Sequence, residues 1–177
     1  MKKQSIWSIA MLMLAMMLSM NVNAEDEKNY PLFKDATIVN YTEDFSTFKI
    51  NKATAEFYVE MKLNTSFDKF KRFFVNNLIT SANENFKDSQ LSLTNNTPSD
   101  FEVTIVPTKA DNDGEHTIQI FLKQKSSNTL ISSFKLNTNG GDDKYFMEEL
   151  GKGLSKTGKK LAKELISIKK KANTPKN

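Results

Sequence analysis

The spacing of apolar residues predicts an amphipathic helix near the end of the chain. Over residues 143–168 the apolar positions are three, four or seven residues apart, which is helical spacing. They are Tyr145, Phe146, Leu150, Leu154, Leu161, Leu165 and Ile168. Gly140-Gly141 interrupts the preceding strand, and Asp142 or Asp143 can cap the first helical turn. Such a helix must bury its apolar stripe on a surface that the rest of the chain supplies.

A second amphipathic helix is predicted after the polar run at Asn64. Thr65 or Ser66 can cap it, and the pattern continues for about twenty residues. Its apolar positions recur every three or four residues and are Phe67, Phe70, Phe74, Leu78, Ala82 and Phe86. Polar and charged residues occupy the opposite side, so one face of this helix is also expected to be buried.

Alternating segments rich in β-branched and aromatic residues predict strands. These segments are residues 36–42, 56–63, 90–94, 101–109, 116–125 and 130–137. Short polar turns, Asp111–Gly114 and Ser126–Thr129, join the last three strands and predict an antiparallel meander. Pro107 indicates that its strand ends or bulges there, or lies at an edge. The apolar spacing in 43–55 fits a short strand and an irregular loop equally well.

The order of these elements predicts a single α+β domain. Two helices with one apolar stripe each fit on a single face of one sheet. The expected architecture is a two-layer sandwich, with a mixed sheet of about five strands, an antiparallel C-terminal meander and two amphipathic helices on one face. We expect the domain to span residues 36–171, after a flexible segment at 25–35 and before a disordered tail at 172–177.

Residues 1–24 predict a signal peptide. Lys2 and Lys3 precede an apolar run from Ile6 to Met20, and Ala24 ends a cleavage sequence of small residues. The run is shorter than the roughly 20 residues that a membrane-spanning helix needs, which favours a cleaved signal over an uncleaved anchor. The chain has no Cys, so neither disulfides nor a lipid anchor at the mature N-terminus is expected. We expect an exported protein, periplasmic or secreted and not lipid-anchored.

Charge is divided unevenly along the chain. Residues 151–177 contain nine Lys and one Glu, which gives +8, whereas residues 25–150 carry −6. Specific nucleic-acid recognition relies on Arg, and Arg72 is the only arginine, so no nucleic-acid partner is expected. The C-terminal lysines suit either a solvated face that complements the helix dipole or a surface for an anionic membrane or an acidic envelope protein. The candidate binding residues are Lys156, Lys159, Lys160, Lys163, Lys169, Lys170 and Lys171.

The length of the last helix bears on where these lysines lie. Residues 143–168 would form a helix about 39 Å long. A strand of seven residues spans only about 23 Å. We therefore expect the last turns to overhang the sheet and to carry their lysines into solvent.

No motif predicts catalysis, a cofactor or a metal site. Residues 153–160 match the pattern G-x-x-x-x-G-K, but the run ends in Lys where a nucleotide-binding loop has Ser or Thr, and it lies inside a helical pattern. Gly158 and Ala162 are better explained by close packing of the helix on the sheet. Residues 111–115 lack the spacing of a calcium loop and predict a hairpin turn. His116, the only histidine, is expected to face solvent, so neither a zinc site nor a catalytic triad can be built.

The C-terminal half resembles a known group of exported domains. It contains the strand Ser-Asp-Phe-Glu-Val-Thr-Ile at 99–105, a strand ending Phe-Leu-Lys-Gln-Lys at 121–125, a Gly-Gly break at 140–141, and a helix with the pattern Phe-x-x-x-Leu-x-x-Gly-Leu from Phe146. This order resembles the small exported α/β domains related to the curli-secretion-channel protein and to the N-terminal domain of the Tol-system propeller protein. The resemblance implies an envelope-associated protein without catalytic residues. Unlike many such domains, this chain has no lipobox cysteine.

These observations lead to one main expectation about function and one alternative. We expect an exported, non-enzymatic accessory or binding protein of the cell envelope, without a cofactor. The alternative is a peripheral protein that binds an anionic membrane surface or an acidic partner through the basic C-terminal helix.

Overall fold

The computed structural model describes residues 26–51, 67–111, 113–139 and 146–174. The elements in these ranges are an N-terminal 3-10 helix (Asp26–Phe33), β1 (Ile38–Glu43), β2 (Lys49–Asn51), α1 (Phe67–Glu84), β3 (Ser92–Leu93), β4 (Phe101–Asp111), β5 (His116–Gln124), β6 (Thr129–Thr138) and α2 (Phe146–Ala172). The predicted α+β fold, a mixed sheet with two helices, is confirmed. The predicted signal peptide, the strand at 56–63 and the caps of both helices lie outside the described residues.

The strands form one sheet in the order β3-β1-β4-β5-β6, and β2 pairs with the far end of β4. The pairs β1–β3, β1–β4 and β2–β4 are parallel. The pairs β4–β5 and β5–β6 are antiparallel, so the predicted meander is confirmed. Segment 43–55 supplies the short strand β2 and the loop that precedes it. At Pro107 the register of β4 shifts without ending the strand, because proline cannot donate a ladder hydrogen bond.

The core lies between the sheet and the two helices. Among the described residues, both helices bury the apolar stripes that their periodicity predicts, except that Phe67, at the start of α1, is 45% exposed. Tyr145 of the predicted stripe lies outside the described residues. The fully buried side chains of the core include Val103, Ile105, Ile118, Ile120, Leu122 and Ile131 from the sheet, with Phe70, Phe74, Leu78, Leu150, Leu154, Leu161 and Leu165 from the helices.

The two helices run parallel, side by side. Phe73 of α1 lies against Gly151 of α2, and further along both helices the carbonyl oxygen of Leu78 faces Gly158. A Cβ added to Gly158 would lie 2.5 Å from that oxygen. The glycine therefore permits close approach to α1 and not, as the sequence suggested, to the sheet. Gly153 is the glycine that faces the sheet.

Both ends of the described chain are better ordered than the sequence predicts. Most of the segment 25–35, which the sequence predicts to be flexible, forms the 3-10 helix. Its Phe33 is buried, and the rings of Phe33 and Phe101 pack edge to face. The last turns of α2 contact this 3-10 helix, and Ile168 and Ala172 are buried. The predicted overhang of α2 is therefore wrong, because the N-terminal segment extends the packing surface beyond the sheet. Ala172, expected to begin a disordered tail, is the last helical residue.

Candidate functional site

One row of exposed lysines follows the outer side of α2. Lys156, Lys159, Lys163 and Lys170 are separated by three, four and seven residues, so they share one face of the helix. We call these four residues the lysine face. It is about 21 Å long at 1.5 Å per residue. Among the described residues none of the four ammonium groups has an ion pair or a hydrogen bond.

Lys152 begins the same row one turn earlier. Its ammonium lies 2.9 Å from Glu148 Oε1 and 2.7 Å from Glu149 Oε1. Both carboxylates lie in the first turn of α2, where they also complement the positive end of the helix dipole. These ion pairs reduce the charge that Lys152 offers to a partner, so we leave it out of the lysine face.

Lys169 differs from the lysines that the sequence predicted beside it. Its ammonium donates hydrogen bonds to the carbonyl oxygens of Ala36, at 2.6 Å, and Ser89, at 3.1 Å. The expectation that the last lysines extend into solvent is thus wrong for this residue. The reason is that the segment after the 3-10 helix and the loop after α1 come within reach of its side chain.

Lys160 and Lys171 are exposed but also contact the protein. Lys160 donates to the carbonyl oxygen of Asn137, 2.5 Å away, at the outer strand β6. The ammonium of Lys171 lies 5.4 Å from the ring centroid of Tyr30, a cation–π geometry. Both contacts hold the flank of α2 to its neighbours, so these lysines are less free to reorient toward a partner than those of the lysine face.

The helices are basic, whereas the rest of the described chain is acidic. α2 contains eight Lys and three Glu, so its net charge is +5. α1 contains two Lys, one Arg, one Asp and one Glu, so its net charge is +1. The described residues outside the two helices carry −3 with His116 neutral. Such a separation of charge orients a protein in the field of a charged surface. The helical layer is therefore the more basic side of the described chain.

His116 is fully buried, so the expectation that it faces solvent is wrong. Its Nδ1 lies 2.9 Å from the carbonyl oxygen of Gly114, and its Nε2 lies 2.9 Å from Thr157 Oγ1 in α2. Because a carbonyl oxygen only accepts, Nδ1 carries the proton, and neutral His116 accepts the Thr157 hydroxyl proton at Nε2. That hydroxyl also lies 3.1 Å from the carbonyl oxygen of Gly153, its alternative acceptor.

Stability is expected to depend on pH through His116. Burial, with the charge of nearby Lys160, holds the pKa of His116 below its ordinary 6.5, although the Gly114 carbonyl bond and Glu115 act in the opposite direction. Above pH 6.5 the imidazole is neutral in both states. Below it, the unfolded chain binds a proton that the folded chain resists, so the free energy of unfolding decreases by at most about 1.4 kcal/mol per pH unit.

Denaturant unfolding between pH 5 and pH 8 measures this effect, with His116→Gln as the non-titrating control. The wild-type free energy of unfolding should decrease more steeply on acidification than that of the variant. Parallel curves would show that His116 does not contribute to the pH dependence.

The turn between β4 and β5 has no free acidic cluster for a metal ion. Lys109 Nζ lies 3.2 Å from Glu115 Oε1 and 3.6 Å from Asp111 Oδ2, and these contacts raise the pKa of Lys109 above its ordinary value. In the described ranges no group of three or more His, Cys, Asp or Glu could hold a metal ion. The predicted hairpin turn is confirmed. Residues 153–160 are helical, so they form no phosphate-binding loop.

Comparison with known proteins adds only structural likenesses at low identity. No protein-family model matches the chain, and no curated protein matches its sequence. A Xanthomonas campestris protein of the DUF330 family is similar over 55% of this chain and 64% of its own, with 16% identity and a TM-score of 0.42. A lipoprotein candidate from Caulobacter crescentus is similar over 84% and 97%, with 5% identity and a TM-score of 0.42.

A candidate homologue of the neuraminyllactose-binding hemagglutinin from Helicobacter pylori is similar over 76% of this chain and 83% of its own, with 10% identity and a TM-score of 0.42. The chain thus spans less than two thirds of the Xanthomonas protein but most of the other two. These similarities are too low to indicate a function. None of the three is a curli or a Tol protein, so that resemblance stays a prediction.

No helix in the described ranges is both long and apolar enough to cross a membrane. The four residues of the lysine face are among the seven lysines that the sequence predicted as candidates, and the structure separates them from the other three by the contacts of Lys160, Lys169 and Lys171. Sequence reasoning missed the burial of His116 and the contacts of Lys169, because the helix that covers His116 and the carbonyls that Lys169 reaches lie 41 or more residues away along the chain.

Proposed function

We propose that this chain is an exported, non-enzymatic protein of the cell envelope that docks on an anionic membrane surface through the lysine face of α2. The observation that carries the proposal is the row of four exposed lysines without ion pairs in the described chain, on a helical layer opposite an acidic remainder.

Membrane docking by this face would be electrostatic. The apolar side of α2 is buried in the core, so the helix has no apolar stripe to insert among lipid chains. Each lysine near an anionic membrane contributes about 1 kcal/mol, and this attraction falls off within a Debye length. Four such lysines on one straight row reach a flat surface together, which favours a membrane over a concave protein partner.

The double variant Lys156→Gln, Lys163→Gln tests the lysine face. Cosedimentation with vesicles of phosphatidylcholine and phosphatidylglycerol at about 0.1 M salt should show binding about thirtyfold weaker than wild type, since two lysines are lost at about 1 kcal/mol each. Vesicles of phosphatidylcholine alone should bind neither protein, and high salt should release the wild type.

The matched control is the variant Lys49→Gln, Lys135→Gln, which removes the same charge from exposed positions outside the helical layer. It should bind anionic vesicles within about twofold of wild type, because salt screens charges that lie farther from the membrane than about one Debye length. Equal losses in the two variants would show that only net charge matters and would reject the lysine face. Binding to an acidic protein without binding to anionic vesicles would identify a protein partner and reject the membrane.

A further inference from the structure

A polar groove opens where the C-terminal ends of α1 and α2 meet. Its volume is about 910 Å³. Glu84, Lys87 and Asp88 line it from the end of α1 and the following turn, and Lys170 and Asn173 line it from the end of α2. Binding sites for small molecules are of this size and often lie between helices. The groove is separate from the lysine face except that Lys170 belongs to both.

The walls of the groove are held by hydrogen bonds within the protein. Lys169 joins the end of α2 to the carbonyl oxygens of Ala36 and Ser89. Asn85 Nδ2 donates to a carbonyl of α1 at 2.7 Å, and Asn173 Nδ2 donates to the carbonyl of Lys169 at 2.8 Å. In the described chain neither amide oxygen accepts a hydrogen bond. Both oxygens therefore remain available as acceptors for a ligand.

Charged groups of both signs line the groove without pairing. In the part of the chain that the structure describes, the charged side-chain groups of Glu84, Lys87, Asp88 and Lys170 make no ion pair or hydrogen bond. A simple anion would meet two carboxylates here, and a simple cation would meet the two unpaired ammonium groups and that of Lys169. The charge pattern is complementary to a ligand that carries both signs.

The helix dipoles add a preference for where the positive group of a ligand lies. Because α1 and α2 are parallel, both negative helix ends meet at the groove. An ammonium group is favoured beside these ends and beside Glu84 and Asp88. An anionic group is favoured at Lys87 and Lys170, with the phosphate oxygens accepting charge-assisted hydrogen bonds.

We propose that this groove binds a zwitterionic phosphoamine, in which a phosphate and an ammonium group lie a few atoms apart, as in phosphoethanolamine. The inference goes beyond the proposed function because it concerns a second site, the groove, and a ligand that can be tested in solution without a membrane. An ammonium group and a phosphate occur together in a lipid headgroup, as a phosphodiester, and in the free compound, as a phosphomonoester with up to one more negative charge, so the experiment has an arm for each.

Titration of the ¹⁵N-labelled exported protein with O-phosphoethanolamine tests the groove. Amide shifts should change at residues 84–89 and 166–174, and the zwitterion should bind more tightly than inorganic phosphate or ethanolamine alone. Equal binding of inorganic phosphate would overturn the proposal in favour of a simple anion site. Shift changes confined to other residues would also overturn it.

Asp88→Asn and Lys170→Gln should each weaken zwitterion binding about two- to fivefold, the range that one exposed ion pair contributes. Lys163→Gln, two turns before Lys170 on α2 and outside the groove, should leave it unchanged. Equal loss in Lys163→Gln would count against a localised site. If the protein cosediments with phosphatidylethanolamine vesicles and Asp88→Asn weakens this binding, the ligand is a lipid headgroup. If the protein binds only the soluble compound, the ligand is a free small molecule.

The two proposals can fail separately. Binding of anionic vesicles without any response to O-phosphoethanolamine would reject the groove and retain the lysine face. Binding of O-phosphoethanolamine without any binding of anionic vesicles would do the reverse.

Discussion

Gly114→Ala is expected to destabilise the fold by about 4 kcal/mol. Gly114 has φ +83, a conformation that L-residues with a Cβ rarely adopt. An added Cβ would also lie 2.6 Å from the carbonyl carbon of Glu149 and 2.7 Å from the amide nitrogen of Leu150. Both are backbone atoms of α2, so the overlap can be relieved only by moving the hairpin turn away from the helix.

Asn128→Ala separates the two contributions. Asn128 is exposed in the turn between β5 and β6 and has φ 51, so alanine there meets backbone strain without a packed helix. Its cost should be about 1 kcal/mol. Urea unfolding of both variants measures the difference. Equal costs would show that close packing of the β4–β5 turn on α2 contributes nothing.

Gly114→Ala should also affect His116. The carbonyl of Gly114 accepts the Nδ1 proton of His116, so moving the turn loosens the contact that holds the imidazole in place. Loss of burial raises the pKa of His116 and loss of the Gly114 hydrogen bond lowers it; because burial is the larger cause, the pKa in the variant should rise toward 6.5. Titration of the imidazole signals by NMR reports this pKa directly.

Gly158→Ala is expected to destabilise the fold by about 3 kcal/mol, although alanine is the better helix former by about 1 kcal/mol. The added Cβ would lie 2.5 Å from Leu78 O and 2.8 Å from Ser81 Cβ. The first contact is with backbone, so α1 and α2 must separate. Ser81 Oγ also donates to the carbonyl of Ser155 across this contact, and separation would lengthen that 2.7 Å hydrogen bond.

Gly151→Ala is the matched control, one substitution of the same kind seven residues earlier on α2. Its Cβ would first meet the Phe73 ring at 3.3 Å, and a half-exposed side chain can shift. This variant should be as stable as wild type or up to about 1 kcal/mol more stable. Thermal melts should separate the two by about 6–16 °C. Melting of both at the same temperature would show that the helices tolerate a wider spacing.

The charge distribution connects the two proposals about binding. In the proposed docking, the lysine face would hold the helical layer toward an anionic surface over a distance of about one Debye length. The groove lies at the end of that layer and presents charges of both signs at short range. The first proposed interaction would be general and sensitive to salt, whereas the second would depend on the arrangement of named side chains.

Most of the fold could be predicted from the sequence because burial in helices and strands has a short period. The stripe from Phe146 to Ile168 and the alternation of Val103 and Ile105 are both buried where spacing predicts. Turn residues then indicated where the meander reverses. Segment 43–55 could not be assigned because β2 is only three residues long, which is too short to show a period. Its strand conformation depends on pairing with the end of β4, which is distant in the sequence.

The sequence by itself therefore determined which residues share a face: the buried stripes of α1 and α2 and the lysine face. Only the tertiary structure decided which faces meet. Gly158 packs on α1, His116 is covered by α2, and Lys169 reaches the carbonyl of Ala36, 133 residues away along the chain. The physical reason is that local periodicity indicates which side of a helix or strand is buried, whereas the residues that this side contacts depend on how the helices and strands pack against one another.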